Sequence, residues 1–254
     1  MKIKDNIAVV TGGGSGMGEA VCCYLAEQGA KIVVLDKSEN AAVRVANKTH
    51  GMAIDCDVSN AQSVEEAFAR IKQAHVRPLS ILVNCAGVAP AKRILSKNGV
   101  VPLPWFEEII QINLVGTFNM MRLAADQMSQ AEPQEEGERG IIINTASIAA
   151  FEGQIGQTAY SASKGGVVAM TLPAARELAR FGIRVMTIAP GFVDTPMVKG
   201  FTEEVRASLI TQTVFPKRFA WPEEFATLVG HIINNQMLNG EVIRLDGGVR
   251  MGAS

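Results

Sequence analysis

Seven short apolar runs recur along this chain, each but the last followed by a stretch with helical spacing, and the alternation restricts it to a parallel α/β sheet. The runs lie at residues 7–11, 31–35, 52–54, 81–83, 141–144, 183–188 and 242–245. Helical patterns occupy 19–28, 40–48, 64–74, 106–128, 158–180 and 223–233, with a short helix near 203–210. Strands apolar on both sides need cover on both faces. No repeat or linker divides the chain, so the expected architecture is α/β: a single-domain Rossmann fold over residues 1–254, its seven-stranded parallel sheet flanked by helices on both faces. Three segments break the rhythm: polar insertions near 88–104 and 131–140, both expected as surface excursions, and 192–216, a candidate lid over the carboxyl ends of the strands.

With 24 Lys+Arg against 25 Asp+Glu, the charge is nearly balanced, which leaves no electrostatic footprint for nucleic acid or an anionic membrane. No run reaches the length of a membrane span, and only six residues precede the first strand, too few for a signal segment. A cytoplasmic protein is expected. Cys22, Cys23, Cys56 and Cys85 form no CxxC pair and no zinc spacing with histidine, so reduced thiols and no metal are expected.

The first strand runs straight into Thr11-Gly12-Gly13-Gly14-Ser15-Gly16-Met17-Gly18 and then a helix. In that setting glycines let the backbone approach a pyrophosphate, and the amides at the helix start favour its negative charge. The pattern is TGxxxGxG, with Gly12, Gly16 and Gly18, rather than strict GxGxxG; alone it is also compatible with a flexible loop. Asp36, 18 residues beyond Gly18 at the end of the second strand, can accept hydrogen bonds from an adenosine ribose diol and would repel a 2′-phosphate. This favours NAD, with Lys37 as the neighbouring cation that could soften the discrimination. Asp57 and Val58 follow the third strand, where the carboxylate could hold the adenine amino group or only cap the next helix. Asn84, Cys85, Ala86 and Gly87 follow the fourth, where small residues permit close approach.

Tyr160 and Lys164 are four apart on an expected helix and so share a face, with Ser147 thirteen residues before Tyr160. Ionising a tyrosine of ordinary pKa ~10 near neutral pH takes ~4 kcal/mol of differential stabilisation. The charge of Lys164, and that of an oxidised nicotinamide, act in that direction, while Ser147 can orient the substrate oxygen. Asn113 interrupts an apolar helical pattern: it could hold water behind the lysine, or patch a helix irregularity. His50, His75 and His231 lie far from these motifs and no GxSxG elbow is present, which disfavours a serine hydrolase.

Taken together, TGGGSGMG, Asp36, NCAG, Asn113, Ser147 and YSASK resemble the short-chain dehydrogenase/reductase family over essentially the whole chain. The resemblance implies Tyr160 as acid/base, Lys164 on the nicotinamide ribose and the tyrosine, Ser147 on the substrate and Asn113 in proton relay. The segments INTASIAAFEGQIGQTAYSASKGG, TIAPGFVDTP and LNGEVIRLDGGVRM resemble a branch of that family acting on 3-hydroxyacyl-CoA and 17β-hydroxysteroids. That branch implies Gln154 at the substrate end beside Ser147 and Tyr160. It places Ser15, Met17, Asp57, Val58, Cys85, Ala86, Gly87, Pro190, Phe192, Val193 and Thr195 on NAD, and implies a homotetramer. The expected reaction is reversible hydride transfer between NAD and the 3-hydroxy/3-keto carbon of an acyl-CoA, with Lys92, Arg93 and Lys97 either meeting the CoA phosphates or forming only a solvated basic loop, the more common reading of such a run. Alternatives are an NAD-dependent hydroxysteroid or other secondary-alcohol dehydrogenase, an NADPH-linked 3-oxoacyl carrier-protein reductase, against which Asp36 argues, and a non-catalytic Rossmann scaffold.

Overall fold

The first apolar run forms β1 (Ile7–Thr11), entirely buried, and α1 (Gly16–Glu27) follows it directly. In this computed structural model, which describes residues 1–75, 77–198 and 200–253, the alternation continues through β2 (Lys31–Asp36), α2 (Glu39–Thr49), β3 (Met52–Asp55), α3 (Ala61–Ala74) and β4 (Ile81–Asn84). An antiparallel pair, β5 (Leu95–Ser96) with β6 (Gly99–Val100), then precedes α4 (Leu103–Ile110). The chain ends through α5 (Gly116–Ser129), β7 (Gly140–Thr145), α6 (Thr158–Leu178), β8 (Ile183–Pro190), α7 (Glu203–Gln212), α8 (Pro222–Asn234) and β9 (Val242–Leu245).

Seven strands form one sheet in the order β3-β2-β1-β4-β7-β8-β9, every pairing parallel. Alternate residues of each strand feed opposite faces. Ala8, Val10, Val83 and Ile143 pack with Leu25 of α1, Val45 of α2 and Phe225 of α8 on one side. Val9, Leu82 and Ile142 pack with Phe68 of α3 and Met120 of α5 on the other. Fully burying a side chain such as Leu82 or Phe225 contributes about 1.5–3 kcal/mol each. The strand order reverses between β1 and β4, which opens a crevice above their carboxyl ends, where sheets of this kind bind ligands.

Three local differences from the sequence expectation have clear causes. The pattern at 106–128 is not one regular helix: α4 passes through a π-helical turn, Gln111–Val115, before α5, and Asn113 sits in that turn. The 88–104 insertion carries the β5–β6 hairpin, too short to show a strand periodicity. The 131–140 excursion is not simply a solvated turn, because Glu138 is buried and accepts from Arg184 Nε at 2.7 Å. Arg184 also donates to the carbonyls of Ile232, Ile233, Asn235 and Leu238, so this acidic residue is drawn inward by a buried guanidinium from β8.

Candidate active site

Two adjoining cavities lie over the carboxyl ends of the strands. The first, about 490 Å³, is lined by Gly12, Ser15, Gly16, Met17, Gly18 and Asp36 and continues past Asp57 and Val58 to Cys85, Ala86, Gly87 and Thr195. Two glycines make it buildable. Gly12 has φ +60°, and a Cβ there would meet the Ala86 nitrogen at 2.8 Å, so β1 and β4 can close on each other only without one. A Cβ on Gly18 would stand 2.2 Å from the Gly12 carbonyl oxygen, so α1 seats against β1 by virtue of that glycine. α1 begins at Gly16, one turn before the Glu19 at which helix propensity alone starts it. Ser15 precedes α1 without a side-chain cap, leaving the first-turn amides available to an anion.

Asp36 stands beside this turn, its Oδ2 accepting from the Gly14 amide and Oδ1 from the Ser38 amide, each at 2.9 Å. Lys37 does not sit on Asp36: its Nζ pairs with Asp57 Oδ2 at 2.8 Å, while Asp57 Oδ1 accepts from the amide and hydroxyl of Ser59. A cation that sequence spacing did not bring to the turn is Arg44 of α2, which donates to the Gly14 carbonyl at 2.7 Å. Glu19 answers it with both carboxylate oxygens, at 2.8 and 2.6 Å.

The second cavity, about 240 Å³, contains Ser147, Gln154, Tyr160 and Lys164. Met17, Cys85, Gly87 and Thr195 line both cavities, and Pro190, Phe192 and Val193 line this one, so the two are continuous at the cofactor residues expected from the sequence. Phe201 and Leu209 reach it from the 192–216 excursion, which does overhang the strand ends. Lys92, Arg93 and Lys97 are exposed and none lines either cavity, although the Lys92 amide donates to the Gly156 carbonyl at 2.9 Å beside the Gln154 loop.

The polar groups are held individually. Ser147 Oγ accepts from the Ala149 amide at 3.1 Å, which leaves its hydroxyl proton free to donate into the cavity. Lys164 is buried and its Nζ donates to the Thr145 carbonyl at 2.7 Å. Burial lowers its pKa to about 8. Burial raises that of Tyr160, and the Ser147 hydroxyl acts in the opposite direction without overcoming it. The expected activation of Tyr160 by Lys164 thus does not appear in the protein alone, where burial and the Ser147 hydroxyl act on the phenol. Cys85 is also pushed up, to about 12, by burial, so it contributes shape to the site and no charge.

Asn113 is fully buried. Its Oδ1 accepts from the Val88 amide and its Nδ2 donates to the Val88 carbonyl, both at 2.9 Å, and to Ser163 Oγ at 3.0 Å. Both amide protons are spent, so the side chain pins the segment after β4 to α6. The Thr117 hydroxyl meets its carbonyl at 2.7 Å. Gly87 lies between Asn113 and Lys164: a Cβ there would be 3.0 Å from Asn113 Oδ1 and 3.5 Å from Lys164 Nζ. Sequence reasoning did not find Gln157 and Met251, which also line the substrate cavity. Both fall inside segments that carry the family resemblance, Gln157 just before YSASK and Met251 at the end of LNGEVIRLDGGVRM, but no spacing within either segment marked them. Among the described residues, no His/Cys/Asp/Glu group could hold a metal ion and no helix is long and apolar enough to cross a membrane.

Comparison with known proteins agrees with this geometry. A family model described as short chain dehydrogenase matches residues 6–206. The human 3-hydroxyacyl-CoA dehydrogenase type-2 is 49% identical over 253 residues, 98% of this chain and 97% of that protein. The ipsdienol dehydrogenase of Ips pini is 34% identical, over 98% of this chain and 99% of that protein. The crystal structure of 3-hydroxyacyl-CoA dehydrogenase type-2 from Mycobacterium avium superposes with a TM-score of 0.93 at 37% identity, covering 100% of this chain and 98% of that one. A single Rossmann-type sheet, a glycine turn at its switch point and a Ser-Tyr-Lys set beside it are thus joined to full-length similarity, and the chain is an oxidoreductase that belongs to the short-chain dehydrogenase/reductase family.

Proposed function

We propose that this chain is an NAD-dependent dehydrogenase that interconverts 3-hydroxyacyl-CoA and 3-ketoacyl-CoA. The observation that carries the reading is the meeting of Ser147, Tyr160, Lys164 and Gln154 in one cavity continuous with the glycine-turn cavity, in a chain 49% identical to a protein named for that reaction. The first cavity fits a dinucleotide: backbone can approach at Gly12, amides are free at the start of α1, and Asp36 keeps acceptor capacity for a ribose diol. A bound NAD supplies the hydride acceptor and, oxidised, a positive charge beside the phenol.

In the oxidative direction Ser147 donates its free proton to the substrate oxygen and holds it near Tyr160. The Tyr160 phenolate removes the hydroxyl proton as the carbon gives up hydride and its oxygen becomes a carbonyl. Lys164, anchored on Thr145, presents its remaining protons to the ribose and the phenol. Asn113 Oδ1 and the Lys164 ammonium flank the space over Gly87, where the proton taken by Tyr160 leaves. Gln154 meets the acyl end. Lys92, Arg93 and Lys97 meet the CoA phosphates from the hairpin insertion. Asp57, with Lys37 across it, edges the adenine end.

The chain acts as a homotetramer, a reading supported by apolar side chains left exposed on its helices and loops, among them Phe118, Leu172 and Met237. Four unpaired cysteines agree with a reducing cytoplasm. A secondary alcohol of another kind, a steroid included, is the second reading. It is favoured by the apolar wall of Met197, Phe201 and Leu209 and by the likeness to ipsdienol dehydrogenase.

The test is oxidation of NADH by acetoacetyl-CoA, with NADPH at matched concentration. Turnover with NADH alone upholds both assignments. No turnover with either removes the acyl-CoA reading and directs the assay to steroids and other secondary alcohols. Light scattering on the eluted protein tests the assembly, and a monomer would refute it.

A further inference from the structure

The wall of the substrate cavity is built from two irregular segments. One is the loop 151–157 between Ser147 and α6, which contributes Gln154 and Gln157; the other is the tail after β9, which contributes Met251. Neither is held by a strand ladder. Both converge on one side chain, Arg244 of β9. Its Nη1 and Nη2 donate to the two carboxylate oxygens of Glu152 at 2.8 and 2.9 Å, and Nη2 also donates to the Val249 carbonyl at 2.8 Å. Its Nε donates to Asp246 Oδ2 at 2.6 Å, and its guanidinium carbon lies 5.2 Å from the centre of the Phe151 ring. Asp246 Oδ1 in turn accepts from the Gly248 amide, and Arg250 of the tail reaches Asp246 Oδ2 at 3.2 Å and, more weakly, Glu152 Oε1 at 3.5 Å. One backbone bond joins the two segments directly, from the Ile155 amide to the Ala253 carbonyl at 2.9 Å.

We propose that Arg244 is a positioning residue for substrate: it fixes the Gln154 loop and the Met251 tail as one wall, and so sets substrate affinity without touching substrate or cofactor. A planar fork suits the task, because paired donors fix the orientation of Glu152 as well as its distance, which a lysine does not. The cofactor cavity includes none of Phe151, Glu152, Arg244 or Met251, so the effect falls on substrate alone. Identifying the affected substrate as acyl-CoA rests on the function proposed above.

The test compares native protein with Arg244→Met and with the milder Glu152→Gln. For Arg244→Met the expected result is a KM for acetoacetyl-CoA raised about tenfold or more, with kcat and the NADH Kd each within about twofold of native. Amide hydrogen exchange should accelerate in 151–157 and 249–253 together, with β1 and α1 unchanged. Glu152→Gln should shift KM in the same direction. Adding it to Arg244→Met should raise KM by less than the product of the two separate effects, because both weaken the Arg244–Glu152 tie and only the pairing of Glu152 with Arg250 remains to be lost. The proposal is overturned by an unchanged KM, by an NADH Kd that rises in parallel, or by exchange that accelerates in one segment alone. If native protein does not turn over acetoacetyl-CoA, the acyl-CoA reading fails. The exchange result still decides Arg244, since coupled loosening of both segments is required whatever the substrate.

Discussion

Lys164 donates to the carbonyl of Thr145 at 2.7 Å, which ties the helix bearing Tyr160 to the end of the strand that leads into Ser147. The three polar groups of the site are therefore held by one strand-to-helix connection, not by separate loops. Their protonation is set by that burial as much as by one another.

Tyr160→Phe removes the proposed proton acceptor and leaves the residues of the glycine-turn cavity unchanged. Turnover should fall by about 10²–10⁴. NADH binding, followed by fluorescence titration, should stay within about twofold of native, where a scaffold role would leave no turnover to lose.

Burial places the Lys164 pKa at about 8 and moves that of Tyr160 above its ordinary value. In the proposed mechanism ketone reduction needs both groups protonated, so kcat/KM for reduction should descend as pH rises through about 8 as Lys164 loses its charge. Lys164→Arg should move the descending limb to higher pH, because a guanidinium stays charged there. A limb that does not move would assign it to another group.

Asp36→Ala removes the proposed ribose acceptor and the tie to the Gly14 amide. Each charge-assisted hydrogen bond contributes about 1.5–3 kcal/mol, so the ratio of NADH to NADPH kcat/KM should fall by at least about tenfold. Arg44 then stands near the turn without the opposing carboxylate of Asp36. Steady-state rates with both cofactors check this.

Arg184→Met should destabilise the protein by about 3–5 kcal/mol in urea unfolding, because four carbonyls lose their donor in a buried setting and Glu138 keeps only the Met1 amino group and Gln236. Burial would raise the Glu138 pKa, but the Met1 amino group, Gln236 and Arg184 together hold it below its ordinary value. Its contribution to stability is thus present above the ordinary carboxylate pKa and is lost as pH falls through the lower folded value. Glu138→Gln should flatten that acid slope with NADH affinity unchanged, since neither residue lines the cofactor or substrate cavity.

By itself the sequence determined the fold of this protein and marked its candidate reacting groups. Period-2 and period-3.6 patterns are local, and a Tyr-Lys pair four apart shares a helix face wherever that helix goes. Within the turn at Gly12 to Gly18, Gly18 answers to a neighbour a few residues away, the Gly12 carbonyl, whereas Gly12 itself is demanded by Ala86 just after β4, a contact that only the folded sheet creates. Tertiary structure alone decided what each charge and amide meets. Lys37 turned to Asp57 and away from Asp36, Arg44 came to the glycine turn from α2, and Asn113 spent its amide on Val88 and Ser163 from a π-helical turn. It also drew Glu138 out of a polar stretch into a buried ion pair, and brought Met251 and the Gln154 loop together on Arg244. The physical reason is that hydrogen bonds and ion pairs act over a few ångströms between residues 20 to 100 positions apart, so their partners exist only once the sheet order has set which segments are neighbours.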